Sequence, residues 1–219
     1  MTYLLWDVDG TLVRNGKDAG NLYHSAVELA AERTIADKLP NMHGKTDGQI
    51  ITETLAAHGL DPELHELARH HLDELSRLRH EAGNHRELCP GVLPALEATA
   101  ALGFTNALLT GNGLVRSRYK LLGAGLIADL FDWEHSYFGN ITPVRSELTL
   151  AAARDLGTSA IIIGDTPNDG RAADAANLGF IAVATGAYTA DELRQTSATL
   201  VIDDLESGLS ALLGALQRD

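Results

Sequence analysis

Leu4-Leu5-Trp6-Asp7-Val8-Asp9-Gly10-Thr11 is the stretch on which the fold turns. A short apolar run without polar alternation reads as a strand buried on both faces, the kind found in parallel sheets. Two aspartates close it, and Gly10 lets the chain turn there. The pattern returns downstream. Phe104 to Leu109 runs into Thr110-Gly111-Asn112-Gly113, and Ala160 to Ile163 runs into Gly164-Asp165. Phe180 to Ala184 and Leu200 to Ile202 read as further strands, and Phe131 to Tyr137 as one more. Helical stretches over 92–102, 114–122, 145–156 and 168–177 separate them. Strands spaced by helices imply βαβ units and a parallel sheet.

One segment breaks the alternation. Between Asp18 and His85 stand eight of the nine histidines and only one aromatic residue, Tyr23. Apolar positions recur at helical spacing: Leu22, Ala26, Leu29 and Ala30, then Ile50, Ile51 and Leu55, then Leu64, Leu67, Leu75 and Leu78. Gly59 stops the second of these helices. Asp61-Pro62 starts the third, with Asp as N-cap and Pro at the first position. The expected fold class is α/β: a Rossmann-like three-layer core with a parallel sheet, over 1–15 and 86–219, and an inserted all-helical cap over 16–85.

Composition narrows the partners. The 219 residues carry 17 Lys+Arg against 30 Asp+Glu, a formal charge of −13. That balance argues against nucleic acid and against an anionic membrane surface. No apolar run approaches the roughly 20 residues of a membrane helix. The first residues lack the basic flank of a secretory signal. The single cysteine, Cys89, reads as a small buried hydrophobe, and a reducing cytoplasm is the expected location. The histidines do not form a zinc-protease pair, since His70 stands five positions after His65 rather than four.

In open parallel sheets ligands sit beyond the carboxyl ends of the strands. Those ends deliver Asp7 and Asp9, then Thr110-Gly111-Asn112, then Asp165 and Asp169, and Arg145 opens a helix between the last two sets. Carboxylates gathered in one place repel and raise one another's pKa. A divalent cation relieves this, and oxygen-only donors favour Mg²⁺ over zinc. The Thr110 hydroxyl, the backbone amides of Gly111 to Gly113 and the Arg145 cation form a phosphate seat. Such a site suits phosphoryl transfer, with one carboxylate attacking phosphorus and a second moving protons.

Asp7-Val8-Asp9-Gly10-Thr11-Leu12 resembles the first motif of the haloacid-dehalogenase-like (HAD) hydrolases. Thr110-Gly111-Asn112 is similar to their second motif, and Gly164-Asp165-Thr166-Pro167-Asn168-Asp169 to their fourth. The helical insert matches their helical cap, and the phosphoglycolate-phosphatase-like branch is the most similar. The resemblance implies Asp7 as nucleophile and Asp9 as general acid/base. It implies Mg²⁺ held by Asp7, Asp165 and the Asp9 carbonyl, with Asp169 binding directly or through water. Thr110 and a third-motif cation hold the phosphate. That cation is normally a lysine, often followed by proline. No lysine stands at the expected helix start, and Arg145, two residues after Pro143, takes its place.

The expected activity is hydrolysis of a small phosphorylated metabolite by a monomer or homodimer. A β-phosphoglucomutase-type mutase needs the same core. A phosphonoacetaldehyde hydrolase uses a cap lysine, but Asp9 counts against it. A phospho-switch or inactive binding module lacks either this length or a complete carboxylate set. In the cap, His43-Gly44-Lys45-Thr46-Asp47 turns between two helices, and Lys45 is the candidate for binding a substrate anion distal to the phosphate.

Overall fold

The computed structural model describes residues 2–16, 19–36, 40, 42, 44–140 and 144–217. His43, Pro143 and Asp18 lie outside the described residues. The strands are β1 (Tyr3–Trp6), β2 (Thr105–Thr110), β3 (Tyr137–Phe138), β4 (Ile161–Gly164), β5 (Gly179–Val183) and β6 (Leu200–Ile202). They form one sheet in the order β3-β2-β1-β4-β5-β6, with every pairing parallel.

The helices of the core are α4 (Val92–Ala101), α5 (Leu114–Gly123), α6 (Arg145–Leu156), α7 (Pro167–Ala176), α8 (Ala190–Leu193) and α9 (Leu209–Leu216). Side chains leave a strand alternately up and down, so each strand feeds both faces. Leu4, Trp6, Leu108 and Ile163 pack with Leu96, Leu121 and Leu212 of α4, α5 and α9. Leu5, Ala107, Ile162 and Phe180 pack with Leu148, Ala173 and Leu193 of α6, α7 and α8. This is the three-layer arrangement expected from the sequence.

Register decides where the chemistry sits. Leu5 pairs with Ala107 of β2 and with Ile162 of β4, so the three strands end level. The Asp7 amide extends the ladder to the Ile163 carbonyl at 2.9 Å. Asp7, Thr110 and Asp165 therefore emerge side by side. The chain winds outward from β1 to β3 and then returns beside β1 with β4, which makes this edge the topological switch point.

Between β1 and α4 stand α1 (Ala19–Ala31), α2 (Asp47–Ala57) and α3 (His65–Glu81). They have their own apolar cluster, built on Tyr23, Val27, Ile50, Ile51, Leu55 and Leu72. Thr46 caps α2 by accepting from the Gln49 amide at 3.1 Å. Asp61 caps a short 3₁₀ turn, Pro62–Leu64, rather than α3 itself.

One expected strand is corrected, and two helices are additional to the expectation. The strand expected over 131–137 is reduced to Tyr137–Phe138, because the Asp132 carboxylate accepts from the amides of Glu134 and His135 and turns the chain. The short helix α8 and the C-terminal α9 were not expected. In α9 the leucines at 209, 212, 213 and 216 carry the helical spacing that would have revealed it. Among the described residues no helix is long and apolar enough to cross a membrane.

Candidate active site

The carboxyl end of β1 places Asp7 between two other acids. Ligand atoms of Asp7, Asp165 and Asp169 lie within 4.8 Å of one another, all buried. Asp165 follows β4 directly, and Thr11 donates to its Oδ1 at 3.3 Å. Asp169 lies in the first turn of α7 and completes a capping box with Thr166, whose amide and hydroxyl both donate to Asp169 Oδ2. The other oxygen, Oδ1, accepts from Arg145 Nη2. A helix cap and a site ligand are thus one side chain.

Arg145 opens α6 and reaches Asp7 as well, with Nη2 3.0 Å from Oδ1. Arg145 therefore stands against the carboxylate cluster. Gly10 has φ +87°, and a Cβ there would collide with the Asp165 carboxylate. Glycine at 10 is therefore a requirement of the carboxylate cluster.

Asp9 faces the other way. Its Oδ2 accepts from Lys120 Nζ at 2.5 Å and from Asn112 Nδ2 at 2.7 Å. Asn112 Nδ2 also donates to Thr110 Oγ1 at 2.9 Å, and its Oδ1 accepts from Lys120 at 2.7 Å. Asn112 ties Asp9, Thr110 and Lys120 together, and its amide is spent on that role.

The expected phosphate seat needs a second correction. The Gly113 amide does not face the cavity open-handed. It donates to Asp47 Oδ2 at 2.7 Å, and the Asn112 amide lies 3.3 Å from Thr110 Oγ1. A carboxylate from the helical insert already holds the start of α5, where helix geometry favours an anion. The Thr110 hydroxyl and Arg145 remain on the cavity wall.

Electrostatics separate the two acids of the first motif. Burial pushes the Asp7 carboxyl up to about 6, and the charges of Asp169 and Asp9 add to this while Arg145 opposes it. Burial, with the neighbouring Asp7 and Asp169, raises Asp165 well above the carboxylate range. Asp9 is buried too, which would raise it. The Lys120 ammonium and the hydrogen bonds from Lys120 and Asn112 overcome that and hold it down at about 2. Burial lowers Lys120 in turn, against the pull of Asp9.

The donor set fits a hard divalent cation. Lys120 balances Asp9, and among the described residues Arg145 is the cation paired with Asp7 and Asp169. With all three acids ionised, two negative charges are left over in this buried, oxygen-only cluster, and a divalent cation such as Mg²⁺ would offset them. Asp7 and Asp165 are the side chains that would hold it. Asp169 would join them directly or through water.

The cavity above the cluster measures about 170 Å³. Its walls include Asp7, Thr110 and Lys120 from the core and Tyr23, Lys45 and Ile50 from the insert. Lys45 does line it, but its ammonium lies 2.5 Å from Glu53 on α2. That bond uses one of the three donors of the ammonium. Cys89 is buried, and burial pushes its thiol up to about 11.

Lys120 and Arg116 are the site residues that sequence reasoning missed. They stand four apart on α5, on the helical face that also buries Ser117 and Leu121. Two cations on the buried face of a helix that begins at the second motif were the available signal.

Comparisons with known proteins bear on the fold that carries this site. The HAD-hydrolase-like family model matches residues 145–207. No curated protein matches the sequence. Among solved structures, a hydrolase from Pseudomonas syringae is 21% identical, with TM-score 0.67 over 97% of this chain and 98% of that one. A protein described as a predicted phosphatase from Clostridium acetobutylicum is 19% identical, with TM-score 0.73 over 97% and 98%. CbbY from Rhodobacter sphaeroides in complex with phosphate is 19% identical, with TM-score 0.68 over 95% and 96%. At these identities the likeness is one of fold, and it extends over nearly the whole chain. The HAD-hydrolase-like family match covers the segment that carries Arg145, Asp165 and Asp169, and the solved structures share the fold of nearly the whole chain.

Proposed function

We propose that the chain is a Mg²⁺-dependent phosphomonoester hydrolase acting on a small phosphorylated metabolite through a phosphoryl group carried on Asp7. The observation that carries this reading is the division of labour between two acids two residues apart. Asp7 lies in the carboxylate cluster beside Arg145, and Asp9 lies across the cavity against Lys120 and Asn112. One is placed to attack and the other to move protons.

When bound among Asp7, Asp165 and Asp169, a divalent cation would offset their repulsion and draw charge from the phosphoryl oxygens. Thr110 and Arg145 orient the phosphoryl group over Asp7. An Asp7 oxygen then bonds to phosphorus as the ester P–O bond breaks, and the leaving oxygen takes a proton from the Asp9 side. The resting Asp9 is ionised, so that proton passes through it from Lys120, whose burial loosens its hold. In the second half, Asp9 takes a proton from water and returns it to Lys120, the water oxygen bonds to phosphorus, and the Asp7–phosphorus bond breaks. The walls from the helical insert keep bulk water away from the first half.

A cavity of about 170 Å³ favours small phosphate esters over polymers. A net charge of −13 supports the same choice, since it disfavours nucleic acid as a partner. The phosphatase-like and phosphate-bound structural relatives support a hydrolase of phosphate esters.

The test is direct. Asp7→Asn removes the attacking oxygen and should lower p-nitrophenyl phosphate turnover by a factor on the order of 10³ or more, as loss of a covalent nucleophile does. EDTA should silence the wild type, with recovery on adding Mg²⁺. Inorganic phosphate, rather than an isomerised sugar phosphate, is the expected product. Turnover that survives either treatment overturns the reading.

A further inference from the structure

The helical insert does more than roof the cavity, because one of its carboxylates is built into the core's second-motif loop. Asp47, the first residue of α2, makes two bonds to that loop. Its amide donates to the Gly111 carbonyl at 2.7 Å, and its Oδ2 accepts from the Gly113 amide at 2.7 Å. The other carboxylate oxygen, Oδ1, accepts from Arg116 Nη1 of α5 and from the Tyr23 hydroxyl of α1, both at 2.6 Å. Arg116 Nη1 also donates to the Tyr23 oxygen at 2.7 Å, and the guanidinium lies over the Tyr23 ring at 4.7 Å.

Every member of this bridge is buried: Tyr23 5%, Asp47 3% and Arg116 2% exposed. Hydrogen bonds to a charged group in such a place are among the strong ones, and a broken one leaves a buried charge without its partner. Packing closes the joint further. A Cβ on Gly111 would collide with the Lys45 carbonyl oxygen and come 3.0 Å from Thr46 Cα. The turn before α2 rests directly on the loop that carries Thr110.

From this geometry we propose that Asp47 is a positioning residue: seated by Arg116 and Tyr23, it holds Gly111 and Gly113 so that Thr110 is set for phosphate only when the insert is docked on the core. Docking and assembly of the phosphate seat are then one event. The inference rests on the hydrolase reading for what the seat binds, and on the bridge alone for how it is held. It differs from a role in substrate contact, since Asp47 does not line the cavity itself but bonds to Gly111, Tyr23 and Arg116, which do. It also differs from Lys45 of the same turn, whose bond to Glu53 stays within the insert.

The experiment compares the full-length wild type with Asp47→Asn and Tyr23→Phe, each with Mg²⁺ present. Three quantities are read: amide hydrogen exchange at Gly113, the Kd of inorganic phosphate by calorimetry, and Tm. Asp47→Asn should speed Gly113 exchange and weaken phosphate binding by about tenfold or more, the loss typical of a buried charge-assisted bond. Tyr23→Phe removes one donor to Asp47 and should shift both in the same direction by less. It keeps the test decisive even where Asp47→Asn does not fold. A purely structural bridge would lower Tm and leave the phosphate Kd, measured well below Tm, unchanged. That result overturns the proposal, as does unchanged exchange at Gly113. Failure of the wild type to bind phosphate at all removes the hydrolase reading instead, and the proposal with it.

Discussion

At the scale of the residue, the site is organised by what each carboxylate leans on. Asp7 leans on Arg145 and on other acids, and Asp9 leans on Lys120. If Lys120 supplies the proton that leaves with the alcohol, its loss should depend on the leaving group. Lys120→Met should slow hydrolysis of an alkyl phosphate by about 10²-fold and of p-nitrophenyl phosphate far less, since p-nitrophenolate leaves without a proton. Equal losses on both esters, measured as kcat, would contradict the relay. A second prediction follows from Asp7. Its carboxyl stands at about 6 against an ordinary 3.8. A folded group raised in this way holds a proton that the unfolded chain releases. Its stabilising effect is full below about pH 4 and is lost as pH rises through 6. Mg²⁺ binds the ionised form, so protons compete with it over the same window. The rise in Tm on adding Mg²⁺ to EDTA-treated protein should be clear at pH 7 and shrink toward zero at pH 5. An equal rise at both values would show that Asp7 is not a ligand.

At the scale of the element, the loop after β2 is the joint of the molecule. It carries Thr110, starts α5, and supports the turn before α2. Gly111 allows that contact by having no side chain. Gly111→Ala should cost stability by about 1–3 kcal/mol through overpacking, visible as a lower Tm. It should also lower kcat/KM on the order of 100-fold, because a small displacement of a positioning group is enough to do so. Full activity with a normal Tm would mean that the insert does not rest there. The same loop shows where sequence reading stops. Thr110, Gly111 and Asn112 are legible because they follow an apolar strand, and strand ends are where parallel sheets bind ligands. That Gly113 gives its amide to Asp47, 66 positions earlier, is a tertiary fact with no local trace. Lys120 and Arg116 are intermediate: their spacing on α5 was readable, but not which way the helix turns. The strand expected over 131–137 failed for a local reason, the turn chemistry of Asp132, outweighing its aromatic residues.

At the scale of the whole molecule, the fold was legible because β1, β4 and β5 are buried on both faces and read as continuous apolar runs, and β2 carries the shorter run Ala107-Leu108-Leu109. Helical periodicity with a single aromatic residue, Tyr23, marked the insert, and its separate apolar cluster shows why: it packs mainly upon itself. The order of the sheet then does the functional work. By returning beside β1, β4 brings Asp165 to Asp7, and α7 adds Asp169. The central claim is that this convergence lets Asp7 carry a phosphoryl group in transit. Rapid mixing of the Mg²⁺-loaded enzyme with a phosphate ester, acid quenching within one turnover, and mass spectrometry of the digested chain test it most directly. The account predicts one phosphoryl group on the peptide containing Asp7, absent from Asp7→Asn and gone once substrate is exhausted. Full-rate phosphate release with no modified peptide, or with the group on another residue, would contradict it.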